Sequence, residues 1–160
     1  MARFRTLDDV AVAGKRVLVR VDFNIPMRDG RVSDASRIER TLPTVRELAE
    51  KGARVILISH LGRPDGKRDT ALSLKPVVEL LTTRLGRPVA FAADCIGPPA
   101  ERAVAALPAG GVALMENVRF HAGEEANDRG FAQTLAALGD FYVNAAFAVA
   151  HRAHASTEGV

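Results

Sequence analysis

The chain has 160 residues, of which 48% are apolar and 26% charged, a balance that suits one folded globular domain and excludes a disordered chain. Lys+Arg total 22 against 19 Asp+Glu, and the resulting net charge of +3 is too slight for the basic stripe of a duplex-binding protein. The single cysteine, Cys95, excludes an intramolecular disulfide and has no second thiol for a cysteine-based metal site; an unpaired thiol fits a reducing compartment, so the cytoplasm is the expected location.

Residues 1–9 contain no apolar stretch of the signal-peptide kind, and nowhere does the chain approach the ~20 apolar residues of a membrane helix. Residues 17–23 read as a first strand, and Asp29-Gly30 marks a turn. A helix capped by Asp34 or Ser36 runs to Lys51, with Ile38, Leu42, Val45, Leu48 and Ala49 on one face. Pro43 either kinks it or marks its first turn, and Gly52 stops it. Residues 53–59 form a second strand, almost wholly apolar, as a strand covered on both faces should be. A polar loop from His60 to about Thr70 follows. Ser73 caps a helix with Pro76 in its first turn, ended by Gly86. Residues 89–92 are a third strand, 99–107 a helix, 112–115 a fourth strand, 131–138 a helix and 141–144 a fifth strand. The alternation predicts a doubly wound, Rossmann-like α/β domain spanning 1–160, a parallel sheet with helices on both faces.

Ligands of such sheets bind beyond the carboxyl ends of the strands. The first strand delivers Asp22 and Asn24 there, with Arg37 heading the next helix. The second delivers Ser59, His60 and Arg63; the third, Asp94 and Cys95. The fourth delivers Glu116, Asn117, Arg119 and His121, and the fifth Asn144, His151 and Arg152. Arginine forks match carboxylate and phosphate oxygens in bidentate geometry, and a cluster of them without an anion is costly. The pattern predicts a small ligand with at least two anionic groups. Asp22 reads equally well as an ion-pair or capping residue.

Several other motifs fail. Gly62 to Lys67 lacks phosphate-loop spacing and a following Ser or Thr, and no G-x-G-x-x-G occurs, so nothing marks a nucleotide site. His151 and His154 have no carboxylate or cysteine to complete a metal set, and no metal is expected. Glu124 and Glu125 read as a solvated surface turn, and Cys95 as a small buried residue. With one Tyr and no Trp, aromatic residues do not interleave with basic ones, which argues against nucleic acid.

Four stretches, in order, carry a resemblance to the phosphoglycerate kinases: RVLVRVDFNIP from Arg16 to Pro26, SHLGRP from Ser59 to Pro64 with SLKP from Ser73, ENVRF from Glu116 to Phe120 with Gly123-Glu124-Glu125, and AHRAHAS from Ala150 to Ser156. The resemblance implies a monomeric, cytoplasmic glycolytic transferase that moves a phosphoryl group between 1,3-bisphosphoglycerate and ADP, giving 3-phosphoglycerate and MgATP. It implies that Asp22, Asn24, Arg37, His60, Arg63, Arg119 and Arg152 bind the phosphoglycerate, with Arg37 catalytic through charge on the transferring group. It also implies a C-terminal domain, not part of this sequence, that holds Mg-ATP or Mg-ADP. The chain is therefore expected to be an N-terminal domain that binds 3-phosphoglycerate weakly and does not turn over alone. An anion-binding module without catalytic activity is the alternative. Two departures stand out: Asn144 is followed by Ala145 where the family usually has an aspartate, and Ala148 and Val149 make the segment before His151 apolar.

Overall fold

A computed structural model describes residues 11–145 and Ser156. The expected positions His151, Arg152 and His154, and the substituted Ala148 and Val149, lie outside the described residues. Five strands form one parallel sheet: β1 (Arg16–Arg20), β4 (Arg54–Ile58), β5 (Val89–Ala92), β6 (Val112–Met115) and β7 (Phe141–Asn144), in the order β5-β6-β4-β1-β7. A short hairpin, β2 (Met27–Arg28) and β3 (Arg31–Val32), is antiparallel. Its two turn residues, Asp29 and Gly30, have φ of 53° and 74°, the left-handed pair that a two-residue hairpin turn demands.

The period of two along each strand divides the core between two helical layers. Val17, Val19, Val55, Leu57 and Leu114 face α1 (Ser36–Glu50) and α2 (Lys75–Leu85), meeting Ile38, Leu42, Val45, Leu48, Val77 and Leu81. Leu18, Ile56, Ile58, Ala113 and Met115 face the other way, onto Ala100 and Val104 of α3 (Gly97–Ala105) and Phe131, Ala132 and Leu135 of α5 (Arg129–Ala136). Burying a Leu, Ile or Val side chain contributes about 1.5–3 kcal/mol, so this two-sided sandwich is the main stabilising feature of the domain. The expected fold class, with helices on both faces of a parallel sheet, is the one observed.

Several expected boundaries shift. The first strand ends at Arg20, three residues short of Phe23: Val21 still donates its amide to the Ile58 carbonyl at 3.0 Å, but the buried Phe23 donates to the Ser59 hydroxyl at 2.9 Å rather than to a neighbouring strand. Helices α3 and α5 begin two residues earlier than expected; α5 is capped by Asp128, whose carboxylate accepts from the Phe131 amide at 2.8 Å. Pro43 lies well inside α1 on its exposed side, where the missing N–H deprives only a solvent-side carbonyl. At the start of α1 the flanking residue is Ala35, and the Asp34 carboxylate accepts from the Ser36 amide at 2.9 Å. Gly86 ends α2 in the left-handed conformation, as its position predicts.

One expectation fails outright. Glu124 belongs to a one-turn helix, α4 (Ala122–Glu125), and is fully buried, not part of a solvated turn. Its carboxylate accepts from the Ser156 amide at 2.7 Å and from the Ser156 hydroxyl. A partner 32 positions along the chain made its burial possible.

Candidate functional site

Register alone brings the strand ends together. Arg20 pairs with Ile58 on one side and Asn144 on the other, and Leu57 pairs with Leu114. Loops leaving β1, β4, β6 and β7 therefore emerge on one edge.

Three of these loops are tied to one another through a single residue. The Gly62 amide donates to Asn24 Oδ1 at 2.9 Å, and the Gly62 carbonyl accepts from Arg119 Nη1 at 3.3 Å. Asn24 is linked in turn to its own neighbourhood: its carbonyl accepts from Arg37 Nη1 at 2.6 Å, and its amide donates to Asp22 Oδ1 at 3.2 Å. Asp22 and Arg37 make an ion pair at 3.4 Å, with 48% of the Arg37 side chain exposed. Arg63 follows Gly62, is exposed, and has no hydrogen-bond or ion-pair partner among the described residues. Asp22, Asn24, Arg37 and Arg63 thus share one rim, with Arg119 buried directly behind it at 4% exposure. An open cleft of about 570 Å³ lies against it, lined by Asn24, Ile25, Pro26, Asp34, Ser36, Arg37 and Arg40. A second cleft of about 470 Å³, between α3 and α5, opens at the amino ends of the strands beside Arg16 and Arg54, away from this rim.

Beneath the rim runs a buried polar network whose key residue the sequence reading did not single out. Arg20, fully buried, donates from Nη1 to the Val21 carbonyl at 2.7 Å and from Nε to the Ser156 hydroxyl at 2.9 Å. Its Nη2 lies 2.7 Å from His60 Nδ1 and 4.0 Å from the Glu124 carboxylate. An arginine only donates, so Nδ1 of His60 accepts and its proton sits on Nε2. Burial pushes the Arg20 guanidinium down from its ordinary value, with the Glu124 carboxylate opposing that shift. The Tyr142 hydroxyl donates to the Ser156 carbonyl at 2.6 Å, and burial raises its phenol well above the usual range. The available signal was a lone charge in the apolar run Val17 to Val21, on the face it shares with Leu18. A charge there requires partners.

Glu116 and Asn117 turn out to support the fold of the loops. The Glu116 carboxylate accepts from the Ser73 hydroxyl at 2.6 Å, the Leu74 amide at 2.8 Å and the Asn117 amide at 2.9 Å, which anchors the start of α2. Asn117 donates from Nδ2 to the carbonyls of Leu61 and Leu72 at 2.8 and 3.0 Å, and its Oδ1 accepts from the Arg119 amide at 3.0 Å. The loop carrying Arg63 and the turn carrying Arg119 are therefore held by one side chain. Gly66 adds a second tether, its amide donating to the Arg119 carbonyl at 3.1 Å. Ala145 stands where the family resemblance led one to expect an aspartate; its amide donates to the Arg20 carbonyl at 2.7 Å, extending the β7 ladder by one residue. Asp94 and Cys95, after β5, lie together with His121, after β6.

No helix among the described residues is long and apolar enough to cross a membrane. The family model described as phosphoglycerate kinase matches residues 7–160. A phosphoglycerate kinase of Methylobacterium radiotolerans is 64% identical over 161 residues, covering 100% of this chain and 40% of that protein. The structure of phosphoglycerate kinase from Coxiella burnetii superposes with a TM-score of 0.87 at 40% identity, covering 98% of this chain and 39% of the other. That of the enzyme from Pyrococcus horikoshii gives 0.86 at 34% identity, covering 96% and 39%. The chain thus spans about 40% of the length of the curated relatives it matches.

Proposed function

The chain belongs to the phosphoglycerate kinase family, and on that footing we propose that residues 1–160 form the phosphoglycerate-binding domain of an enzyme that transfers a phosphoryl group between 1,3-bisphosphoglycerate and ADP, giving 3-phosphoglycerate and ATP. Supporting this reading is the way the Gly62 peptide joins Asn24 to Arg119, so that guanidinium groups far apart in sequence share a rim. A three-carbon acid bearing a phosphate and a carboxylate has anionic ends that such a rim can hold separately. Arg63 and Arg119 supply forks for phosphate or carboxylate oxygens, and His60 supplies an Nε2–H donor fixed by Arg20. Asp22 and Asn24 orient Arg37 and the polar body of the substrate. Arg152, outside the described residues, belongs to the same set by its motif.

The chemistry needs no protein nucleophile. The acyl-phosphate bond breaks, the substrate carboxylate leaves with its electron pair, and a terminal oxygen of ADP takes the phosphoryl group in line. Phosphoryl transfer of this kind rests on positioning and on neutralising charge at the transferring group. Arg37 is the residue assigned to that charge. Its ion pair with Asp22 is long and half-exposed, and both that pair and the 2.6 Å bond to the Asn24 carbonyl use Nη1, so Nε and Nη2 can meet phosphoryl oxygens while Nη1 stays anchored. The nucleotide, as its magnesium complex, would be held by a C-terminal domain beyond this sequence.

Calorimetry tests the assignment. The protein should bind 3-phosphoglycerate more tightly than sulfate, and Arg119→Met or Arg63→Met should each weaken it by roughly 10- to 100-fold, the loss of a hydrogen bond to a charged group. Equal affinity for sulfate and 3-phosphoglycerate would mean a generic anion nest. Turnover by this chain without a nucleotide domain would refute the division of labour.

A further inference from the structure

At the end of the sheet away from β1, a second set of reactive side chains converges. Asp94 and Cys95 follow β5, and His121 follows β6; these strands are neighbours paired through Ala92 and Met115, so their loops leave the sheet side by side. A carboxylate oxygen of Asp94, the Cys95 sulfur and a ring nitrogen of His121 all lie within 4.8 Å of one another. His121 Nε2 is 2.7 Å from Asp94 Oδ1, which also accepts from the Cys95 amide at 2.7 Å. The His121 ring rests against Phe131, with centroids 5.2 Å apart. Cys95 is fully buried and the other two are partly buried.

We propose that Asp94, Cys95 and His121 form a binding site for a divalent transition-metal ion of the zinc type. The donor set of one sulfur, one imidazole nitrogen and one carboxylate oxygen suits such an ion and disfavours magnesium or calcium, which take oxygen ligands. Ligands at about 2.0–2.3 Å around a tetrahedral ion stand roughly 3.3–3.7 Å apart. Asp94 and His121 would therefore open by less than about 1 Å, and the cysteine sulfur would close by up to about 1.2 Å. A fourth position remains for water. Binding converts the thiol to a metal-bound thiolate and releases its proton to solvent. The Cys95 amide and the Phe131 ring hold the carboxylate and the imidazole in place, the outer support that metal ligands ordinarily have. Arg68, 3.8 Å from Asp94 Oδ2, opposes a cation; its side chain is 54% exposed, and moving aside into water would exchange its contact with Phe120 and its 3.0 Å hydrogen bond to the Ala93 carbonyl for hydration. Glu124, whose charge reaches the Cys95 thiol, acts in the opposite sense.

Cobalt(II) tests the site on the purified protein, because the chain has one cysteine and any thiolate-to-cobalt charge-transfer absorption must come from Cys95. The expected result is such a band on titration with Co²⁺, abolished by equimolar Zn²⁺ and unaffected by excess Mg²⁺. Cys95→Ser should remove the band, and His121→Ala and Asp94→Asn should each weaken Co²⁺ binding at least about tenfold with the far-UV circular dichroism unchanged. If Cys95→Ser does not fold, the two partly buried positions still decide the matter. Cobalt bound without a thiolate band, as His151 and His154 alone would bind it, overturns the proposal. So does an affinity indifferent to both His121→Ala and Asp94→Asn.

Discussion

The network beneath the rim permits a quantitative test. Arg20 and Glu124 are both fully buried, 4.0 Å apart, and Ser156 bridges them, accepting from Arg20 and donating to Glu124. Replacing Arg20 with Met leaves the Glu124 carboxylate uncompensated; replacing Glu124 with Leu leaves the guanidinium so. Breaking a buried pair from one side typically costs about 3–5 kcal/mol. A domain of this size has roughly 5–15 kcal/mol of stability in all, so either variant should sit near the edge of folding. At about 2–4 °C per kcal/mol, each should lower the Tm by roughly 6–20 °C. The double variant removes both charges together, and only neutral groups lose partners: the Val21 carbonyl, the Ser59 hydroxyl, His60 Nδ1, and the Ser156 amide and hydroxyl. Its cost should fall about 2–3 kcal/mol short of the sum of the singles, the upper part of the roughly 0.5–3 kcal/mol range of coupling energies for contacting residues. Urea unfolding followed by circular dichroism gives all corners of the cycle. Nitrogen-15 chemical shifts of the His60 ring give an independent reading, since loss of Arg20 removes the donor that holds the proton on Nε2. Additivity within about 0.5 kcal/mol, with an unchanged His60 tautomer, would show that the pair and the histidine are not coupled.

Three further outcomes follow from local geometry. Gly66→Ala should destabilise by about 2–4 kcal/mol and weaken 3-phosphoglycerate binding, because φ is +78° and a Cβ would sit 2.9 Å from the Ala122 backbone; wild-type stability on denaturation would contradict this. Hydrogen bonds from Arg16 depress the Asp140 carboxyl, so its contribution is present above the unfolded value of about 3.9 and is lost as pH falls through the folded value. Asp140→Asn should therefore cost less than about 1 kcal/mol at neutral pH, given an ion pair more than a third exposed, and the gap from wild type should close in acid; a gap that widened in acid would reverse the sign. Burial, with Asp94 and Glu124 adding to it, pushes the Cys95 thiol well above its ordinary range, so iodoacetamide should label it only as the protein unfolds, whereas labelling in native buffer at the rate of a free thiol would contradict that state.

The features legible in the sequence were those fixed by neighbours along the chain. Strands 89–92, 112–115 and 141–144 were delimited because apolar runs stop where turn residues start. The rim was legible for a topological reason: in a parallel sheet, whatever follows a strand emerges on the same edge. The exact extent of β1 was not, since the apolar Phe23 is buried like a strand residue although its amide meets the Ser59 hydroxyl rather than a neighbouring strand. Glu124 was misjudged because an acidic pair in a polar stretch looks solvated until Ser156 arrives from 32 positions away. Cys95 has only Asp94 beside it in the chain, and His121 reaches the pair only because β5 and β6 are adjacent in space. Polar groups whose satisfaction depends on distant chain segments leave no periodic trace.

That distinction bears on how the rim can be specific. Scaffold carboxylates and amides at the strand ends are engaged: Glu116 has three donors, Asn117 two acceptors and one donor, and Asn24 ties β1's loop to Gly62. Reorganising any of them to meet a ligand would break bonds already made. Arg37 and Arg63 differ, the first exposed and held through Nη1 alone, to the Asn24 carbonyl and Asp22, and the second without a partner among the described residues. A rigid, satisfied frame carrying loosely held guanidinium groups favours a ligand whose anionic ends match the spacing of the frame, because the frame cannot shrink to fit a smaller one. On the proposed function, sulfate has a single anionic centre and can meet only forks that already lie around one point, whereas a phosphorylated carboxylate has two and can engage separated groups without distorting the frame that joins them.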